Sequence, residues 1–172
     1  MSAARGGRRS FGTDLRPSPG AGTFAFAAIL CFGAVAAALF TQHRLGMQPC
    51  PWCVLQRLVF VAIGMVALLG LVWGRPGGRR LAAIVAVLLA LGGFAAAMWQ
   101  HFVAAATASC NLSLADRIVA ATRLNEWLPD VFEARATCAD AAVSLVGVPY
   151  EFWSATLFVV LAVTLGLALR RR

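Results

Sequence analysis

The stretch VLQRLVFVAIGMVALLGLVW, from Val54 to Trp73, runs directly into Gly74-Arg75-Pro76-Gly77-Gly78-Arg79-Arg80. The first part is almost wholly apolar over about 20 residues. At about 1.5 Å of rise per residue, a helix of that length crosses the roughly 30 Å hydrocarbon core of a bilayer. The second part combines turn breakers with three arginines, a composition that favours a tight turn on the inner membrane face. A span followed by a positive-inside turn sets the pattern for the whole chain.

Apolar runs of similar length lie at about 21–41, 81–99 and 151–169. The 172-residue chain is 60% hydrophobic and 13% charged, too apolar for an ordinary soluble domain. All fifteen basic residues are arginines, and the net charge is +8. That charge alone would suit a nucleic-acid partner, but its distribution excludes that class. Ten arginines form three clusters: Arg5, Arg8, Arg9 and Arg16; Arg75, Arg79 and Arg80; Arg170, Arg171 and Arg172. The clusters alternate with segments that hold six of the seven acids. Such alternation reports membrane orientation rather than a polyanionic ligand.

The sequence therefore predicts an all-α integral membrane four-helix bundle with both termini cytoplasmic. A Gly, Arg, Ser and Pro-rich tail at 1–20 is expected to be disordered. Residues 21–172 form one four-span domain, with outer loops at about 42–53 and 100–150. Arg8-Arg9-Ser10-Phe11 resembles a twin-arginine export signal, but the run that follows is long enough to span and is read as the first helix. Gly92 and Gly93 in the third span would allow close approach of a neighbour. In the second outer loop Leu114, Ile118 and Ala121 recur at helical spacing, with Asp116, Arg117 and Arg123 off that face. This predicts a short amphipathic helix, either lying on the bilayer surface or packed as a cap on its own loop.

Chemistry concentrates in Met47-Gln48-Pro49-Cys50-Pro51-Trp52-Cys53-Val54-Leu55-Gln56-Arg57, at the outer mouth of the second span. A C-x-x-C dithiol can close to a disulfide and reopen, moving two electrons and two protons. With Cys53 at a helix N-terminus and Arg57 one turn on, the helix dipole and a permanent cation both favour the thiolate, the reactive form. The alternative is a structural disulfide or half of a metal site. A ring this short contributes little chain-entropy stabilisation, which argues against a purely structural role. Cys110 and Cys138 form a second outer pair, too far apart for a C-x-x-C and, taken alone, a plain structural bridge. Cys31, in mid-span, reads as a small buried hydrophobe. Two outer pairs together suggest a relay: one trades disulfides with a soluble partner, the other carries electrons onward. No haem, dinucleotide or iron–sulfur motif is present, so the simplest acceptor is a lipid-soluble quinone.

Gln42-His43, Pro49-Cys50-x-x-Cys53 and Gln56-Arg57 resemble the first periplasmic loop of the disulfide bond formation protein family DsbB. The likeness continues through His101, Cys110, Glu126-Trp127-Leu128-Pro129, Phe132, Cys138 and Gly147-x-Pro149, covering about residues 21–169. It implies a bacterial inner-membrane, multi-pass enzyme with its active cysteines on the periplasmic side. Such an enzyme reoxidises a periplasmic thioredoxin-like dithiol oxidase of the DsbA type and passes electrons to ubiquinone or menaquinone. By position, Cys110 would form the mixed disulfide with the partner, and Cys138 would resolve it and pair transiently with Cys50. Cys53 would engage the quinone, Arg57 would stabilise thiolate and developing quinone charge, and His101 would sit near a quinone carbonyl. The competing role for His101 is an interfacial belt with Trp99. Three features depart from the family pattern: Gln56 where an acid can precede the arginine, Pro51-Trp52 between the cysteines, and a shorter 101–110 segment. They bear on quinone type and potential. Rival readings are a membrane thiol reductant running the other way, a structural zinc site holding all four outer cysteines, and a paralogue serving one dedicated client oxidase. The first would need an inner-face dithiol, and no cysteine lies in the arginine-rich loops. The second lacks a second close cysteine pair.

Overall fold

The computed structural model describes residues 20–73, 75–106 and 113–170. The expected tail, Gly20 excepted, lies outside the described residues, as do Cys110, Arg171 and Arg172. Four long helices form the body: α1 (Ala21–Leu45), α2 (Pro51–Val72), α3 (Pro76–Trp99) and, last in the chain, α7 (Tyr150–Arg170). Each is long and apolar enough to cross a membrane, α3 together with the π-helical turn Gln100–Ala104 that continues it. Between them come α4 (Leu114–Thr122), α5 (Leu124–Trp127) and α6 (Pro129–Phe132). A two-residue antiparallel pair follows, β1 (Ser144–Leu145) with β2 (Val148–Pro149).

The helices outrun the apolar spans, and local chemistry explains where they stop. Helix α1 carries on through Gln42, His43 and Arg44 until Gly46, whose left-handed backbone (φ 68°) returns its N–H to the Thr41 carbonyl. Helix α2 begins at Pro51, three residues ahead of the apolar run, because proline at the first helical position forfeits no hydrogen bond. Cys50 caps it, its sulfur accepting from the Cys53 N–H at 3.3 Å. Helix α3 likewise starts on a proline, Pro76. The buried Arg79 then donates from Nε to the Gly70 carbonyl at 3.2 Å, satisfying one of the orphan carbonyls at the end of α2. One arginine of the inner turn thus serves the fold directly.

The core runs along the bundle axis through Phe24, Cys31, Ile63, Ala67, Ala86, Ala90, Phe158, Leu161 and Leu165. The buried side of α3 is Ala82, Ala83, Ala86, Ala90, Gly93, Ala96 and Ala97, a stripe of small residues that lets neighbouring backbones close in. Helix α3 packs extensively on both α7 and α2, and α2 lies between α1 and α3. Gly93 meets the Phe158 ring, which stacks on Phe60 at 4.1 Å between centroids and 5° between planes. Gly92 faces open space. The contact between α1 and α7 is much thinner.

Helix α4 starts on a capping box, Ser113 with Asp116. It buries Ala115 and Val119 against α2 and leaves Leu114 and Ile118 exposed. The face read from the sequence as apolar is therefore the outward one, and the packed face lies one residue further on. Packing is onto the second span, not onto the loop alone. The loop is also tied to the first outer loop, for the N–H groups of Arg135 and Ala136 both donate to the Pro49 carbonyl, at 2.9 and 3.2 Å.

Candidate active site

That tie sets the sulfur geometry. Pro49 immediately precedes Cys50, so anchoring the 130s strand of loop to its carbonyl brings Cys138 alongside Cys50. Cys50 is fully buried, and its thiol is a hydrogen-bond partner of both Cys138 and Cys53. The Cys50 and Cys53 sulfurs lie 2.9 Å apart as free thiols. Cys138, Cys50 and Cys53 therefore gather in one cluster, with Cys50 the buried member. The hydrogen bonds that Cys50 makes to Cys138 and Cys53, together with burial, raise its proton affinity well above that of an ordinary thiol. Cys138 moves the opposite way. The Cys50 thiol, and after it the Trp52 backbone, hydrogen-bond its sulfur and hold its pKa below the usual thiol value, against burial and the nearby Cys53 and Asp116 charges. Cys110 lies outside the described residues.

Cys53, in the first turn of α2, receives a hydrogen bond of 3.2 Å from Gln100 Nε2. Gln100 is oriented in turn by Gln56, whose Nε2 donates to its Oε1 at 2.8 Å, 44 residues away along the chain. Arg57 is buried, and its NH1 donates to Gln42 Oε1 at 2.7 Å and to the Val131 carbonyl at 3.1 Å. It does not hydrogen-bond the Cys53 sulfur but acts on it through charge. Gln42 completes the clamp by donating to the Asp130 carbonyl at 3.2 Å. The arginine that the sequence marks as an electrostatic partner is thus also the rivet between spans one and two and the second outer loop.

Where α1 and α7 part, a cavity of about 230 Å³ opens. Ala34, Val35, Phe60 and Leu157 give it apolar walls, and Cys53, Gln56, Arg57, Gln100, Tyr150 and Glu151 supply its polar groups. At about 30 Å³ per water this is room for a substituted ring. His101 does not border it. Its Nδ1 lies 2.6 Å from Oε1 of Glu151, and Glu151 is the residue that does. Gln100, Tyr150 and Glu151 are site neighbours that motif reasoning missed. The available signal was a polar or ionisable residue at the end of an apolar span, which in a membrane marks function by default. Among the described residues, no group of three or more His, Cys, Asp or Glu side chains is arranged to hold a metal ion.

The arrangement sets thiols of the second loop and of α2 together beside a cavity with apolar walls, which suits thiol–disulfide exchange. Known proteins are similar to this chain. The family model for disulfide bond formation protein DsbB matches residues 21–168. The disulfide bond formation protein B of Ralstonia nicotianae is 38% identical over 150 residues, covering 87% of this chain and 93% of the relative. Disulfide bond formation protein B 1 of Pseudomonas aeruginosa is 33% identical over 141 residues, 79% of this chain and 86% of the relative. That of Nitrosomonas europaea is 29% identical over 152 residues, with 87% and 93% covered. A family model that matches residues 21–168, and relatives up to 38% identical over 87% of the chain, make the chain a member of the DsbB family of disulfide bond formation proteins.

Proposed function

We propose that this protein reoxidises a periplasmic thioredoxin-like dithiol oxidase of the DsbA type and delivers the electrons to a membrane quinone, ubiquinone or menaquinone. The observation that carries the reading is the cluster of Cys138, Cys50 and Cys53, whose Cys53 borders a cavity with apolar walls and a few polar groups. The cavity suits a quinone head group on two counts. Its walls accept a flat apolar ring, and its polar groups include a buried carboxyl oxygen, Glu151 Oε2, that has no hydrogen-bond partner among the described residues.

The steps follow from thiol–disulfide exchange. A thiolate of the partner attacks Cys110 in a Cys110–Cys138 disulfide, and the partner's second thiol releases itself from the mixed disulfide, leaving Cys110 and Cys138 reduced. The Cys138 thiolate, held by the Trp52 backbone N–H, then attacks Cys50 of a Cys50–Cys53 disulfide. A Cys138–Cys50 bond forms and the Cys53 sulfur is freed at the cavity. Cys110 next attacks Cys138, restoring the outer disulfide and releasing Cys50 as a thiol. Gln100 holds the freed Cys53 sulfur with its amide N–H. Arg57 supplies positive charge at the same end of the cavity, in a surrounding of low dielectric. Closing Cys50 onto Cys53 gives up two electrons and two protons, and a bound quinone supplies the two-electron acceptor.

The test is anaerobic. The partner's reduced dithiol is added to purified protein with ubiquinone, and the quinone absorbance is followed. One quinone lost per dithiol oxidised is expected, and none with Cys53→Ser. Near-normal turnover in that variant would remove Cys53 from the mechanism, and an unreactive wild type would remove the function.

A further inference from the structure

Glu151 is an unusual residue for the place it occupies. It lies in the first turn of α7 with 3% of its side chain exposed. Oε1 is bound to His101 Nδ1, while Oε2 is buried without a hydrogen-bond partner among the described residues. A carboxylate half-satisfied at the rim of a bilayer is costly. The cost falls if Oε2 carries a proton and offers it to something in the cavity that Glu151 lines. His101 stands behind it with 31% of its side chain exposed, wedged against the rings of Phe102 and Phe152. Both His101 and Gln100 come from the same π-helical turn, so one irregular piece of backbone serves the sulfur and the acid. The other titratable or charged groups facing the cavity are Arg57, Cys53 and the Tyr150 hydroxyl, and no second carboxyl is among them.

We propose that Glu151 is the proton donor to the acceptor in this cavity and that His101 reloads it from the outer aqueous side. This rests on the quinone reading above. The O–H bond at Oε2 breaks as an O–H bond forms on a carbonyl oxygen of the acceptor, whose electrons come from the Cys50–Cys53 dithiol as it closes. His101 takes a proton at Nε2 from water, where the dithiol has released two, as it passes its Nδ1 proton to Oε1, and proton exchange with water returns the ring to its Nδ1–H form before the next pass. The last side-chain torsion of glutamate is broad and two-fold, so a half-turn of the carboxyl returns the loaded oxygen to the cavity. Two passes supply both protons of the reduced ring, and no charge is left on the protein.

The experiment compares wild type, Glu151→Gln, Glu151→Asp and His101→Asn, each as full chain in lipid, by three readouts. Quinone reduction in Glu151→Gln should fall by roughly 100-fold or more, the lower range for loss of a positioned general acid, in kcat rather than KM. Glu151→Asp should recover part of it. Disulfide exchange with the partner dithiol in the absence of quinone should be unchanged. The infrared spectrum of the quinone-free protein should contain the carbonyl stretch of a protonated carboxyl that is lost in Glu151→Gln and moves in His101→Asn. If Glu151→Gln does not fold, His101→Asn carries the kinetic test: its slowed turnover should be restored by added imidazole. Wild-type quinone reduction matched within twofold by Glu151→Gln, or by His101→Asn without imidazole, overturns this inference and leaves the quinone reading intact. So does the absence of the carboxyl band. A wild type that reduces no quinone overturns both.

Discussion

Replacing Gly93 by alanine tests the helix packing that holds the floor of the cavity. A Cβ at that position would lie 2.4 Å from two atoms of the Phe158 ring and 2.8 Å from a third. Carbon atoms prefer about 3.5–4.0 Å, so more than about 1 Å must be found. Phe158 is fully buried and lies flat against Phe60, one of the cavity walls, so the ring has little room to retreat. Either α3 and α7 separate or the ring leaves its rotamer, an overpacking cost of about 1–3 kcal/mol. Opposing this, alanine is favoured over glycine within a helix by about 0.8–1.0 kcal/mol. Gly92→Ala supplies the correction, because nothing lies within 4 Å of its Cβ and only the helix term remains. The stability of Gly93→Ala should therefore fall below that of Gly92→Ala by about 1–3 kcal/mol, read by denaturant titration in detergent. Adding Phe158→Leu should return part of the loss, since the two sites share one contact. Equal stabilities for the two alanine variants, or a larger loss at Gly92, would refute the apposition of α3 and α7 through Gly93.

Three further outcomes follow from the site. Gln100→Leu removes the donor to Cys53 and strands the Gln56 amide, and a hydrogen bond to a charged group is worth about 1.5–3 kcal/mol, so quinone reduction should slow roughly 10- to 100-fold in stopped flow with partner exchange intact. Arg57→Ala should raise the apparent KM for quinone and also speed proteolysis of the second outer loop, because the guanidinium holds the Val131 carbonyl and Gln42; Arg57→Lys should restore charge-dependent KM more than loop protection, since lysine lacks the planar fork. In the reduced protein at neutral pH, Cys138 should alkylate before Cys50, as the first is held below and the second above the ordinary thiol value; raising the pH should narrow the gap, and Cys50→Ala should slow Cys138 by removing its hydrogen-bond donor, both read by mass spectrometry.

The fold was legible because a membrane imposes a strong code. Apolar runs of spanning length and arginines at 75, 79 and 80 gave four helices and their order with no tertiary information. Helix ends were less legible, because hydropathy reports where lipid stops and not where hydrogen bonding stops. Gln42 to Arg44 are polar yet helical, and Pro51 to Cys53 belong to α2 through the cap at Cys50. The packing of α4 was not legible, because Leu114 and Ile118 are the larger hydrophobes and stay exposed, while close packing on α2 selects Ala115 and Val119.

The site was legible in its sulfurs and its arginine, whose spacing is local, and hidden in its amides and its acid, whose partners are not. The bond from Gln56 to Gln100 joins residues 44 apart, and that from His101 to Glu151 joins residues 50 apart. Burial supplies what spacing withheld. The buried polar side chains among the described residues are Gln42, Gln56, Arg57, Arg79, Gln100 and Glu151. Arg79 closes the C-terminal end of α2, and the other five converge on the opposite end of the bundle, around Arg57 and the cavity that Cys53 borders. A polar group buried at membrane depth lowers stability unless it is paired, and a bundle chosen for stability alone would fill those positions with apolar residues. Four of the five form two hydrogen-bonded pairs, Gln42 with Arg57 and Gln56 with Gln100, the second holding the Cys53 sulfur; the fifth, Glu151, keeps an oxygen unpaired among the described residues. A bundle that is otherwise uniformly apolar thus spends its polar burial almost entirely at one place, and that concentration identifies the reacting end independently of any motif.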